Sequence, residues 1–169
     1  LLCDNAYGPT KRFCHKILAK YNVKTTHIES NIGEEISAYF SNKTKLIFLE
    51  SPGSNTFEIQ DIRAIVKAAK KAGIMIIIDS TWATPLHLKS LDLGADVAIQ
   101  SVTKYICGHS DVLMGCATVN EKYADEFANY FETVENYTNP QDCYSALRGL
   151  RSLKVRLKEH ERSAFEVAH

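Results

Sequence analysis

Apolar positions fall in short runs and helical stripes that alternate along the chain. Pro9 to Tyr21 predicts a helix, with Phe13, Ile17 and Leu18 on one face and Pro9 suited to the first turn. Val23 to Ile28 predicts a short strand. Ile32 to Phe40 predicts a second helix, with Ile36, Tyr39 and Phe40 at helical spacing. Leu46 to Leu49 is a continuous apolar strand ending at Glu50, and Ser51 to Asn55 is a loop of turn residues. Ile59 to Lys71 is an amphipathic helix. Ile62, Ile65, Val66 and Ala69 face inward, Arg63, Lys67, Lys70 and Lys71 face outward, and Gly73 ends it. Ile74 to Ile78 is apolar on both faces, which marks a central parallel strand covered from both sides. A short helix over His87 to Leu91, a strand over Val97 to Gln100 and a polar stretch from Ser101 to Asp111 follow. Leu113 to Val119 is strand-like. Glu121 to Val134, Gln141 to Leu150 and the chain from Leu153 onward read as helices.

This alternation predicts an α/β fold, a mainly parallel sheet with helices on both faces. In such sheets ligands bind beyond the carboxyl ends of the strands. Polar clusters fall at those ends: Glu50 to Asn55, Asp79 to Thr84, and Ser101 to Lys104. Their convergence marks the candidate site.

Charge narrows the partners. The 169 residues carry 20 Lys plus Arg and 20 Asp plus Glu, a net charge of zero. No basic excess marks a nucleic-acid binder, and no polybasic patch marks a membrane surface. No apolar run approaches the roughly 20 residues that span a bilayer. Neither nucleic acid nor membrane is therefore expected as a partner. The five cysteines, Cys3, Cys14, Cys107, Cys116 and Cys143, are scattered, with no CxxC and no zinc spacing. They predict reduced, mostly buried thiols in a cytoplasmic protein and no metal site. The chain begins at Leu1 on what reads as a strand end, and its helical pattern is still running at Ala168. It reads as an interior piece of a larger protein.

Several chemistries lack their motifs. There is no GxGxxG, no GxxxxGK[ST], no HExxH and no GxSxG. The strongest constellation is Asp79 after one buried strand and Ser101-Val102-Thr103-Lys104 after another. A ring cofactor that stabilises a carbanion needs a carboxylate for its pyridinium nitrogen and an amine for its aldehyde. It also needs hydroxyl and N–H groups around its phosphate. Pyridoxal phosphate requires that set. Each residue also has a plainer reading: Asp79 as the cap of a turn, Lys104 as a surface lysine, Ser101 and Thr103 as loop hydroxyls, Tyr7 as a half-buried aromatic.

The blocks Asp79-Ser80-Thr81-Trp82-Ala83-Thr84-Pro85 and Ser101-Val102-Thr103-Lys104-Tyr105, with Gly108-His109-Ser110-Asp111, are more specific. They resemble the Cys/Met-metabolism family of pyridoxal-phosphate enzymes, which includes cystathionine β-lyase, cystathionine γ-lyase, cystathionine γ-synthase and methionine γ-lyase. Tyr7-Gly8-Pro9-Thr10, Asp142-Cys143-Tyr144, Arg148-Gly149-Leu150 and Val155-Arg156 extend the resemblance over nearly the whole chain. Glu50-Ser51-Pro52-Gly53-Ser54 and Asp79 to Trp82 look most like the bacterial β-lyase branch. Ser54 stands where other branches carry a ring-contacting Asn, and Ser80 stands where Asn is common.

The resemblance implies a fold-type I large domain over residues 1–152, its N-terminal part missing. Residues 153–169 would begin a helix toward a further domain. Lys104 would be the Schiff-base lysine and catalytic base, and Asp79 the ring-nitrogen partner. Ser101 and Thr103 would bind the phosphate, and Tyr7 would stack on the ring and assist catalysis by its phenol. The implied activity is carbon–sulfur bond cleavage, β-elimination of cystathionine to homocysteine, pyruvate and ammonia, as in transsulfuration and methionine biosynthesis. The alternatives are γ-lyase, γ-synthase or methionine γ-lyase chemistry on the same scaffold, or a truncated chain that does not turn over. The implied partners are a small thioether amino acid and further copies of the chain, in a homotetramer built as a dimer of dimers. These residues in isolation are expected to bind cofactor weakly and to be inactive, because other site groups lie outside them.

Overall fold

The structure is a computed structural model in which residues 1–168 are described. Its sheet has six strands: β1 (Leu2–Cys3), β2 (His27–Ile28), β3 (Leu46–Glu50), β4 (Met75–Asp79), β5 (Val97–Ser101) and β6 (Gly115–Val119). Their order is β2-β1-β3-β4-β5-β6. All neighbours are parallel except β5 and β6, which are antiparallel. The expected mainly parallel α/β sheet is therefore present.

The apolar run that becomes β4 lies between β3 and β5, and its Ile76 and Ile78 are fully buried. Met75 and Ile77 on the opposite face are only half-covered. Helix α2 (Ile62–Lys71) packs one stripe on the sheet, burying Ile62, Ile65, Val66 and Ala69 as the spacing predicts. Asp61 caps it by accepting the Ala64 N–H at 3.0 Å. Ile59, expected inside this helix, precedes the cap and is exposed. Gly73 closes the turn with φ of +67°, a conformation glycine adopts without steric cost.

Other expected elements are shorter or displaced. The first helix divides into α1 (Gly8–Lys16) and a 3₁₀ turn at Leu18–Tyr21. Its apolar face is not buried, since Phe13 and Ile17 are exposed and of α1 only Cys14 packs against the core. The strand expected from Val23 reduces to His27–Ile28, because its partner β1 offers only two residues to pair with. The segment Ile32 to Phe40 holds a 3₁₀ helix, Glu34–Tyr39, with Ile36 as its one buried residue. The helix expected over His87 to Leu91 lies earlier, as α3 (Thr84–His87), where Pro85 favours a first turn. Leu88 is already extended.

Beyond β6 come a 3₁₀ turn at Glu121–Tyr123, α4 (Ala124–Val134) and α5 (Pro140–Ala168). The two helices expected over 141–150 and from 153 are one continuous helix. No proline interrupts it, and Gly149 stays in register because it packs on a turn. A Cβ there would lie 2.3 Å from the Ile106 carbonyl oxygen. A second core of Val102, Ile106, Cys107, Val112, Ala146 and Leu153 joins α5 to the segment after β5.

All five cysteines are free thiols. The expectation that most are buried fails, since only Cys3 and Cys107 are, while Cys116 and Cys143 are exposed. Burial pushes the Cys3 thiol up to about 12, so it stays protonated and inert.

Candidate active site

Parallel register brings the polar strand ends together. Glu50 ends β3 beside Asp79, which ends β4, and Asp79 in turn pairs with Ile99 of β5. Ser101 lies two residues further along β5. A cavity of about 1060 Å³ opens at this edge, and Tyr7, Asp79, Ser101, Thr103 and Lys104 all line it. All the site residues expected from the sequence therefore meet in one place.

Asp79 is held from below. Its Oδ1 accepts the Thr81 N–H at 3.0 Å and the Thr81 hydroxyl at 2.6 Å. The plainer reading, a capped turn, is thus realised by one oxygen. The other oxygen has no hydrogen bond among the described residues. The Thr81 Oγ1 also accepts the Ser101 N–H at 2.8 Å. Thr81 therefore ties the carboxylate to the end of β5 while donating its single proton to Asp79. The D-x-T spacing carried that signal in the sequence. Ser80 points elsewhere: it is buried, and its hydroxyl accepts from Gln100 Nε2 at 2.6 Å. A substitution at position 80 does not reach the cavity wall.

Lys104 is exposed at the cavity, with no ion pair among the described residues. Its backbone N–H bonds the Ser101 carbonyl at 3.0 Å, and its carbonyl accepts the Gly108 N–H at 2.8 Å. The Ser101 hydroxyl has no partner among the described residues. Thr103 differs. Its hydroxyl donates to the Met114 carbonyl at 3.2 Å and accepts the Met114 N–H at 2.8 Å. Its one proton is committed, so binding an anion requires it to turn away from Met114.

Glu50 is the site residue whose role the sequence left open. It is buried, its Oε2 accepts the Tyr7 N–H at 2.7 Å, and its Oε1 accepts the Ser54 hydroxyl. It thereby fixes the half-exposed Tyr7 and the loop after β3 against the same carboxylate. The Ser54 hydroxyl is thus committed to Glu50. Burial raises the pKa of Glu50 above the usual carboxylate range, although the bonds from Ser54 and Tyr7 oppose the shift. The native state therefore holds this proton more tightly than the unfolded chain. Its contribution to stability is complete below the ordinary Glu pKa of about 4.3 and is lost as pH rises through the raised native value. Glu50→Gln should thus gain stability relative to the parent between pH 4 and pH 7, read as the difference in denaturation midpoint. A difference that does not grow with pH would show that Glu50 titrates normally.

An aromatic wall completes the cavity. Phe57 meets Trp82 edge-on at 4.9 Å, Trp82 lies 5.8 Å from Tyr105, and Tyr105 lies 5.8 Å from His160 of α5. Sequence reading missed this wall, because His160 is distant in the chain and α5 carries it there.

Comparison with known proteins agrees with this architecture. A profile of the family described as "Cys/Met metabolism PLP-dependent enzyme" matches residues 1–169. A Saccharomyces cerevisiae protein with a provisional cystathionine beta-lyase name is 44% identical over 168 residues, covering 99% of this chain and 49% of that protein. Cystathionine beta-lyase MetC of Escherichia coli is 40% identical, covering 99% of this chain and 43% of that protein. An L-alanine/L-glutamate racemase of Wolbachia pipientis is 41% identical, covering 99% and 41%. The crystal structure of cystathionine gamma synthase from Xanthomonas oryzae superposes with a TM-score of 0.93 at 30% identity, covering 99% of this chain and 43% of that one. The chain spans less than half the length of each of these proteins. A profile matched from end to end, relatives of this identity and a shared fold-type I sheet lead to one assignment: the chain belongs to the Cys/Met metabolism PLP-dependent enzyme family.

Proposed function

We propose that this chain is the cofactor-holding part of a carbon–sulfur lyase that cleaves cystathionine by β-elimination. One observation carries the reading: Lys104, Asp79 and Ser101 share a cavity, and each has a polar group there that the described residues leave unpartnered. That set fits pyridoxal phosphate, whose ring nitrogen, aldehyde and phosphate call for an acceptor, an amine and a donor. When bound, the cofactor supplies a sink for the electron pair left as the α-proton departs. Lys104 would hold the aldehyde through Nζ, and the same amine would serve as the base that takes the substrate's α-proton. The free Asp79 oxygen would accept the ring N–H and keep it protonated. Ser101 would donate to the phosphate, and Thr103 could join it only by leaving Met114. Tyr7, anchored by Glu50, would stack on the ring and assist by its phenol. The substrate would then lose its thiolate from Cβ, which takes up a proton to leave as homocysteine, and water would hydrolyse the three-carbon remainder to pyruvate and ammonia.

In this reading residues 1–152 form the cofactor-binding large domain. Residues 153–169 begin the connection to a further domain, although α5 runs unbroken through both. The assembly is a homotetramer, supported by the aromatic side chains of Phe13, Tyr130, Phe131 and Tyr137 left exposed on and beside α1 and α4. The free cysteines fit a reducing cytoplasm. No helix among the described residues is long and apolar enough to cross a membrane. These residues alone are expected not to turn over.

The racemase relative supports a second reading, proton removal and return at Cα with no bond broken at Cβ. The test offers the purified full-length protein cystathionine, and separately alanine and glutamate in deuterated water. Pyruvate release supports β-elimination. Release of 2-oxobutyrate instead moves the assignment to γ-elimination. Deuterium at Cα of alanine and glutamate, without keto acid from cystathionine, overturns the lyase reading in favour of racemisation.

A further inference from the structure

The turn that carries Lys104 is held from the side opposite the sheet by a single guanidinium. Arg156 of α5 donates from Nη1 to the Tyr105 carbonyl at 2.7 Å, and from Nη2 to the Ile106 carbonyl at 3.0 Å and the Gly149 carbonyl at 2.8 Å. Its Nε is fixed by Ser152 Oγ at 3.0 Å. The Tyr105 and Ile106 carbonyls have no other partner among the described residues. They follow Lys104 directly, and Cys107, the one residue between them and Gly108, is buried.

Two glycines make room for this clamp. A Cβ on Gly149 would collide with the Ile106 carbonyl oxygen at 2.3 Å and the Cys107 carbonyl oxygen at 2.8 Å. Gly108 has φ of +75°, and a Cβ there would lie 2.3 Å from Arg156 Nη1. Helix and turn are thus in backbone contact at Gly149, and the guanidinium lies close over the backbone at Gly108. Thr103 to Met114 and Ser101 to Thr81 also tie the turn, and its own backbone bonds and the buried Val102, Ile106 and Cys107 hold its shape. Arg156 neither lines the cavity nor faces Lys104.

We propose that Arg156 is a positioning residue for Lys104, acting through the two carbonyls that follow the lysine. Its planar fork satisfies carbonyls of the turn and of the helix together, so it fixes the distance between α5 and the turn as well as the turn itself. A lysine at position 156 would bring the charge but not the fork. The inference rests on Lys104 holding the cofactor, yet the contact itself can be read without cofactor.

The test uses the full-length protein and compares Arg156→Ala, Arg156→Lys and Leu153→Ala. Leu153 is buried in the same contact of α5 but touches neither carbonyl by hydrogen bond, so it controls for simple loosening of the helix. In cofactor-free protein, amide exchange over residues 104–108 should quicken roughly tenfold or more in Arg156→Ala, the scale of a lost hydrogen bond to a charged group. In the loaded enzyme, kcat should fall about 100-fold with KM within about threefold, the pattern of a displaced catalytic group. Millimolar guanidinium should restore part of kcat in Arg156→Ala and none in Leu153→Ala, and Arg156→Lys should remain impaired.

Parent-like exchange and kcat in Arg156→Ala would overturn the proposal. So would a Leu153→Ala variant with the same kcat loss and the same rescue. If Arg156→Ala does not fold, Arg156→Lys decides: kcat within twofold of the parent rejects the role. If the parent protein itself fails to retain cofactor on Lys104 after borohydride, the functional reading falls, while the exchange comparison still judges the clamp.

Discussion

Replacing Lys104 with alanine should leave no cofactor that borohydride can fix to the full-length chain. Lys104 has the amine that the cavity exposes without an ion pair, and its neighbours in the wall offer hydroxyls and carboxylates instead. The same amine is the proposed base, so elimination should fall by at least the roughly 10²–10⁴-fold that a positioned base contributes. Stability should change by no more than about 0.5 kcal/mol, because the side chain is exposed and nothing in the described chain depends on it. Peptide mapping after reduction and a thermal melt check both halves. A reduced cofactor found on another lysine would end the assignment.

Asp79→Ala should have the opposite signature, with cofactor still attached but turnover reduced by ~100-fold or more. That is the scale of losing a fixed charge aimed at charge developing in the transition state. The substitution also strands the Thr81 hydroxyl and N–H, both of which now donate to Asp79 Oδ1. Asp79→Asn separates the two effects. Its amide oxygen can keep the Thr81 bonds, while its NH₂ cannot hold a proton on a ring nitrogen. If attachment is retained and turnover is lost in both variants, the loss belongs to the charge. Normal turnover in Asp79→Asn would mean that the carboxylate serves only the turn.

The sheet and its carboxyl edge were legible because burial there writes itself into residue type. Ile76 and Ile78 are apolar where β4 is covered, and Asp79 is polar where it ends. The stripe of α2 reads equally well, since its period and its burial coincide. What was not legible depends on register between distant segments. Nothing in the sequence says that the Thr103 hydroxyl meets the backbone of Met114, or that Glu50 receives the Tyr7 N–H. The apolar face of the first helix is a different case. Amphipathic spacing shows that a face is apolar, not what covers it, and here Phe13 and Ile17 remain exposed. Two helices were read, over 141–150 and from 153, where α5 is one, and its Gly149 packs closely on the Ile106 and Cys107 backbone in space.

The clamp on the lysine turn also sets an order in time. Arg156 follows Tyr105 by 51 positions in the chain. At about 5–20 residues per second of synthesis, its guanidinium leaves the ribosome roughly 3–10 s after the carbonyl it will hold. Through that interval the turn has its own backbone bonds and those to its neighbours, such as Thr103 to Met114 and Ser101 to Thr81, without the guanidinium. The nascent chain therefore presents its amine before the helix that steadies it has been made.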